Sequence, residues 1–462
     1  MADRNIEVSE RIARLVDEKG GTAYYVGGFV RDRLRNADSS DIDIEVHGIA
    51  PAVLEEILDR IGKRISIGES FGIYSLCGYS VDIAMPRKEK SLGRGHRDFD
   101  ISVDPAIGTL KAAERRDFTV NSVMQEIITG RITDHFGGVR DIKDGIIRHV
   151  NGGTFAEDPL RVLRAACFAA RFGWTVAGET VELCSRMDLS GLARERVAGE
   201  LRKALTVPDR PSVFFETLRD MGQLSFWFPE LEDLAGVPQD PRHHSEGDVW
   251  THTMMVTDAA AGFRENAKDP FGFMLAALVH DFGKAVCTKR ENGKIRSVGH
   301  ETTGLERASA FIGRLTSEKE LRQYVLNLAE HHMMPGRLAR DRSSVSATNR
   351  MFDLSADPEA LICLACADNL GQISSETECI DEGFLRERLQ IFREYMERPY
   401  VSGADLIAAG LEPSPEFREY LEFAHKLRLA GVERESVIRQ ILALEKSRKK
   451  NAPDGRGGMK GN

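Results

Sequence analysis

Acids and branched apolar residues alternate strictly in DIDIEV, the end of the stretch VGGFVRDRLRNADSSDIDIEVHG at residues 26–48. Side chains of a strand alternate between faces, so Asp41 and Asp43 project together while Ile42 and Ile44 enter a core. Neighbouring carboxylates repel one another unless a cation lies between them. Oxygen-only ligands, with substrate phosphates completing the shell, favour Mg²⁺. A second alternating run, YSVDIAMP, presents Asp82 between Val81 and Ile83 as a third carboxylate. Ahead of the first run, Gly27 and Gly28 let backbone approach a ligand closely. Arg31 and Asp32 follow on a short helix whose N-terminus attracts anions. These residue types together predict a two-metal phosphoryl-transfer site.

Histidines and acids gather further along the chain, in WTHTMMV, LVHDFGKA, GHE, AEHHMMP and CADNLG. The candidate ligands are His252, His280, Asp281, His300, His332 and Asp368, with His331 the weaker of its pair. A His-Asp placed between an apolar run and Gly-Lys is costly unless its charges are compensated. Imidazole nitrogen in the set favours a divalent transition metal, with Mg²⁺ as the other option.

GGFVRD followed by DIDIEVHG resembles the catalytic signature of the class II tRNA nucleotidyltransferase and poly(A) polymerase family. Four later segments agree in order: RRDFTVNSVM (115–124), DHFGGVRDIKDGIIRHV (134–150), EDPLRVLR (157–164) and RERVAGEL (194–201). The resemblance implies that Arg116, Asp117 and Asn121 contact the triphosphate and ribose. It implies that Asp158, Arg161 and Arg164 imitate a complementary base edge, and that RERVAGEL braces them. Asp158 and Arg161 are three apart and share a helix face, one accepting and one donating. Cys167 stands where the family usually has a further arginine. The downstream set is similar to the HD phosphohydrolase superfamily, which implies one metal on His252, His280, Asp281 and Asp368. His300 and His332 sit where some members add ligands or substrate contacts, and the complete set favours an active hydrolase over a relic.

The resemblance implies an α+β protein: a nucleotidyltransferase (polymerase beta-like) α/β head over 1–150, then an all-α neck over 151–240. A helical HD domain over 241–395, a helical tail over 396–450 and a disordered basic terminus over 451–462 complete it. Pattern agrees with that division. AYYVGG, DIDIEV, GIYSLCGYSVDIAM and RHV read as strands and APAVLEEILDRIG as a helix, whereas helical spacing dominates from about Asp158. DPLRVLRAACFAARFGW is a helix opened by proline and stopped by glycine. VPQDPRHHSEGD reads as a linker.

At 462 residues the chain is long enough for several domains, and its 42% hydrophobic and 29% charged residues are ordinary for a soluble protein. Neither a membrane span nor an apolar signal core is visible. Seven scattered cysteines predict reduced thiols and a cytoplasmic location. Cys363 and Cys366 form a CxxC inside LICLACA and read as packed helix residues. The net charge of -9 argues against indiscriminate nucleic-acid binding, although residues 87–97 carry five Lys/Arg against one acid. The expected partners are tRNA, CTP and ATP, with neither DNA nor membrane; the oligomeric state stays open. The expected reaction is CCA addition to tRNA 3′ ends, with hydrolysis of phosphate esters, including 2′,3′-cyclic phosphates and 2′-nucleotides, at the HD centre. Rival readings are a poly(A) polymerase, an enzyme adding only CC or only A, and a protein uridylyltransferase. A tRNA-binding module with dead sites is the non-enzymatic rival.

Overall fold

A computed structural model of the chain describes residues 2–39, 41–66, 72–91, 99–373, 379–397 and 400–451. Residues 92–97 of the basic run and all of the terminus after residue 451 lie outside them. The chain divides into two compact units, Met1–Pro229 and Glu230–Asn462.

The first unit opens with the amphipathic helix Ala2–Asp17 and a set of strands: β1 (Thr22–Val26), β2 (Ile42–His47), β3 (Arg64–Ser66), β4 (Ile73–Leu76) and β5 (Val81–Ala84). Then come β6 (Arg87–Ser91), β7 (Phe99–Val103), β8 (Met124–Glu126) and β9 (Ile132–Thr133). Seven of them form one mixed sheet in the order β3-β4-β5-β2-β1-β8-β9, and β6 and β7 pair separately. β2 runs antiparallel to β1 and parallel to β5, in a register that sets Asp43 beside Asp82 and Ile44 beside Ile83. Ile42, Ile44 and Val46 are at most 2% exposed, so burial of that face dictates where the acidic face must point.

Two expectations shift. RHV is not a strand: the ladder there is Ile146–Ile147, paired in parallel with Thr175–Val176 outside the main sheet. Pro159 stands just ahead of the neck helix Leu160–Phe172 rather than inside it, and Gly173 closes that helix at φ 66°. A left-handed residue there is what glycine supplies without strain. The helices Arg194–Thr206 and Ser212–Asp220 pack on it.

In the second unit the helices Val249–Ala261, Pro270–Val279, Lys319–His331 and Pro358–Leu370 form the packed centre. Asp248, Asp269 and Asp357 cap three of them, each accepting a backbone N–H of the first turn. Cys363 and Cys366 are buried on the Pro358–Leu370 helix, as their apolar context predicts. The segment expected to link two domains, 237–248, belongs to this unit and bonds into its centre. Helices Gly403–Ala408, Phe417–Leu429 and Arg434–Asn451 close around a small core of Val401, Leu406, Leu411, Tyr420, Ala424, Val437 and Ile441.

Candidate active sites

In the first unit the acidic face of β2 opens on a cavity of ≈ 640 Å³. Gly27 lies at its edge with φ 66°, where an added Cβ would stand 3.1 Å from Asp43 Oδ2 and 3.3 Å from Arg116 Nη1. Only glycine leaves both groups in place. Asp43 is raised above the ordinary aspartate range, first by desolvation; Arg116 opposes the shift, and Asp82 and Asp41 add to it. That mutual repulsion fits a site for a divalent cation. Asp82 accepts a hydrogen bond from Ser75. Asp41 stands exposed just ahead of the strand.

Arginines form the opposite wall. Arg31, 3% exposed, donates twice to Asp32 at 2.9 Å and once to Asn121 Oδ1 at 2.8 Å, with its cation 4.6 Å from the centre of Phe172. Asp32 therefore holds Arg31 and does not itself line the cavity. Arg116 donates to Glu45 at 3.0 Å, and Glu45 bonds His47 at 2.8 Å. Burial alone would raise Glu45; those two partners hold it below the usual range. Asp117 is depressed in the same way, because Arg164, Asn121 and the Phe118 N–H outweigh its burial. Arg164 Nε donates to Asp117 at 2.9 Å.

The base-selecting candidates line the same cavity, but Asp158 stands ahead of the helix Leu160–Phe172 rather than sharing a face of it with Arg161, and its carbonyl accepts the Arg161 N–H at 3.0 Å. Asp158 accepts both Arg196 nitrogens, at 3.1 and 2.8 Å, and Arg161 donates to the carbonyls of Thr154 and Arg115 at 2.7 and 3.0 Å. Burial lowers the Arg161 pKa. Cys167 turns away, its Sγ 3.2 Å from the Glu200 carbonyl, and Arg171 one turn on reaches the wall instead.

The second unit gathers its histidines by one repeated device. His280, His300 and His332 direct Nδ1 at the carbonyls of Ala277, Ser297 and Ala329, at 2.8, 2.9 and 2.7 Å. A carbonyl only accepts, so each Nδ1 carries the proton and each Nε2 faces inward. His252 does the same toward Gly371 O at 3.2 Å and Glu246 at 3.2 Å. Its Nε2 lies 3.0 Å from Asp368 and 3.5 Å from Asp281. Bonds to Asp368 and Glu246 overcome burial and push His252 up to about 9. Burial and His280 push His332 down to about 3. Asp281 is held well below its usual value, since Lys284, His280 and His300 outweigh complete burial.

The donor set fits a metal. His252, His280 and Asp281 form one group of converging ligand atoms, and Asp281, His300 and His332 a second. His280 Nε2 and both Asp281 oxygens are buried without a hydrogen bond of good geometry, although Lys284 Nζ lies 2.7 Å from Oδ2. The Nε2 atoms of His300 and His332 meet at 3.2 Å, a contact that requires a shared proton or cation.

Residues 23–148 match the model of the poly A polymerase head domain and residues 249–371 that of the HD domain. A multifunctional CCA protein of Stenotrophomonas maltophilia is 39% identical over 79% of this chain and 90% of its own length. The chain belongs to the multifunctional CCA protein family. The Bacillus stearothermophilus CCA-adding enzyme, solved with CTP, shares the fold at TM-score 0.67 and 20% identity, over 97% of this chain and 99% of its own. The Thermotoga maritima CCA-adding enzyme, solved with tRNA, does so at 0.63 and 22%, over 95% of each. No helix among the described residues is long and apolar enough to cross a membrane.

For a member of the CCA family, polymerase and HD domains alike imply divalent metals. Several residues at the two sites went unnamed in the sequence. Arg196 was visible only as part of RERVAGEL, and Glu45 as the next step of the acidic alternation. Glu246, His244 and Gln239 carried no signal, because their segment has the Pro, Gly and Asp punctuation of a loop.

Proposed function

We propose that this chain adds C, C and A to tRNA 3′ ends from CTP and ATP, and that its HD domain hydrolyses phosphate esters. The observation that carries the first reading is Asp43 on a cavity walled by Arg31, Arg116, Arg161 and Arg164, with Asp82 beside it in strand register though not itself in the cavity lining. In this reading the tRNA 3′-hydroxyl attacks the α-phosphate and pyrophosphate leaves. Asp41 and Asp43, with Asp82, hold Mg²⁺, which when bound neutralises charge on the triphosphate. Gly27 and Gly28 leave room for phosphate oxygens, and Arg116 and Arg164 neutralise them. Asn121 and Asp117 meet the ribose. Asp158 and Arg161, fixed by Arg196 and two carbonyls, present an acceptor and donors to the base.

At the HD centre His252, His280, Asp281 and Asp368 hold a divalent metal, a transition ion by their imidazole content, with His300 and His332 as further ligands. The metal supplies Lewis acidity toward a phosphoryl oxygen. Trimming or repair of RNA ends suits such a pairing. We read the head as ending near residue 150, the neck near 240, the HD domain near 395 and the tail near 450. All seven cysteines are free, as in a reducing cytoplasm.

The test is incubation of tRNA lacking its 3′ end with CTP, ATP or both. Ordered addition of CC from CTP and then A from ATP is expected; a ladder of A from ATP alone would overturn it.

A further inference from the structure

Between the His-Asp pair and His300 the chain makes a detour. Lys289–Glu291 and Lys294–Arg296 pair as an antiparallel hairpin, turning through Asn292 and Gly293, both left-handed at φ 50° and 76°. Such a two-residue turn matches the twist of the strands it joins. The hairpin carries Lys289, Arg290, Lys294 and Arg296 against Glu291, in a chain of net charge -9. All five charged residues are exposed. Among the described residues, none of the four cations has a side-chain hydrogen bond or ion pair within the protein.

The register sharpens the point. Lys289 stands directly opposite Arg296, and like charges facing each other across a ladder destabilise it. Lysines blunt exposed strand edges in many proteins, but edge protection does not require cations set against each other. A polyanion laid along the hairpin would relieve that repulsion.

The base of the hairpin is tied to the HD centre. Thr288 Oγ1 donates to the Lys284 carbonyl at 2.6 Å and meets Ser297 Oγ at 2.7 Å. Ser297 O accepts His300 Nδ1 at 2.9 Å, and His300 Nε2 lies 3.2 Å from Asp281. Beside that base, Val286 and Val298 are 61% and 82% exposed.

We infer that this hairpin is an RNA-binding arm: it grips the phosphates just upstream of a 3′ end whose terminal phosphate ester enters the HD centre. The preferred HD substrate is then an RNA terminus rather than a free nucleotide. The inference rests on the phosphohydrolase reading for the chemistry, though not for the binding.

The experiment uses the full chain loaded with Ni²⁺ or Mn²⁺. The probe is a short oligoribonucleotide ending in a 2′,3′-cyclic phosphate, with 4-thiouridine next to its last nucleotide. Photocrosslinking followed by peptide mapping should mark residues 288–298, and K289S/R290S/K294S/R296S should lose that mark while keeping its Tm and its CCA addition. In hydrolysis, the variant's KM for the oligonucleotide should rise about 10-fold or more with kcat held. Its KM for 2′,3′-cyclic AMP should not change. The salt slope of log kcat/KM should flatten by about 0.7 for each phosphate that the variant no longer neutralises. A wild-type protein that crosslinks at the hairpin and hydrolyses neither substrate would end the phosphohydrolase reading and leave the arm standing. Absence of the crosslink, or equal KM changes for both substrates, would overturn the arm.

Discussion

Asp43 is the residue on which the transferase site turns. Its raised pKa means that the folded chain holds the proton more tightly than the unfolded chain, whose reference value is 3.8. The sign follows: ionising Asp43 takes stability away as pH rises past that value, and the protein regains it on acidification. Asp43→Asn should therefore match or exceed the wild-type Tm at pH 7 in EDTA, and the advantage should vanish near pH 4. Nucleotide addition should nonetheless fall by about 10²–10³-fold or more, as when a preorganised charge-stabilising group is removed. A melting series with an addition assay on the same preparations reads both; near-normal addition by Asp43→Asn would end the metal assignment. Base choice is also a residue-scale matter. Arg161→Ala removes the guanidinium that bonds the Thr154 and Arg115 carbonyls and, in the proposed reading, a donor to the base. Losing one hydrogen bond to a buried base edge costs about 1–3 kcal/mol, so discrimination of CTP and ATP against UTP and GTP should drop about 5- to 150-fold. Arg196→Ala, which removes the two donors that hold the Asp158 carboxylate, should relax the same ratio while leaving pyrophosphate release coupled to addition.

At the scale of elements, the helix Leu160–Phe172 shows what sequence can and cannot tell. Its apolar spacing and closing glycine mark it in the chain, and so does the pairing of Ile42, Ile44 and Val46 on β2, because burial imposes a period. The short ladder Ile146–Ile147 with Thr175–Val176 has too few residues for any period to appear. Residues 237–248 read as a linker because Pro, Gly and Asp break every pattern, yet Glu246 and Gln239 reach His252 and Lys284 through single side-chain contacts. Tertiary hydrogen bonds of that kind leave no trace in spacing. Cys167 is the instructive case: the departure from the family's arginine is plain in the chain, but its direction is not. Since Sγ faces the Glu200 carbonyl on the helix Arg194–Thr206, Cys167→Arg should push the two helices apart rather than add a cation to the cavity. Overpacking of this kind costs about 1–3 kcal/mol. A lowered Tm with no gain in CTP affinity is expected; tighter CTP binding at unchanged Tm would show that the side chain can turn inward.

At the scale of the whole molecule, the two ligand sets lie in separate compact units and differ in chemistry. The head offers carboxylates alone, whereas the HD centre collects four histidines around Asp281 and Asp368. In the metal-free protein His252 is pushed up to about 9 by Asp368 and Glu246, so at pH 7 it carries a proton that a metal must displace. Metal binding at the HD centre should then release at least about one proton at pH 7, and affinity should fall as pH falls below that pKa. Titration calorimetry in two buffers of different ionisation enthalpy measures the proton count directly. Because Asp41, Asp43 and Asp82 include no imidazole, the transferase should not share that linkage. His280→Ala combined with Asp281→Ala removes ligands from both groups around Asp281. That variant should lose the calorimetric signal for Ni²⁺ or Mn²⁺ and all hydrolysis of 2′,3′-cyclic nucleotides. CCA addition with Mg²⁺ should stay within about twofold of wild type, as for sites with no shared partners. Two results would contradict this picture: metal binding by the variant equal to wild type, or loss of CCA addition in a variant whose Tm is unchanged. The first would remove the HD residues from metal ligation, and the second would mean that the two units function as one.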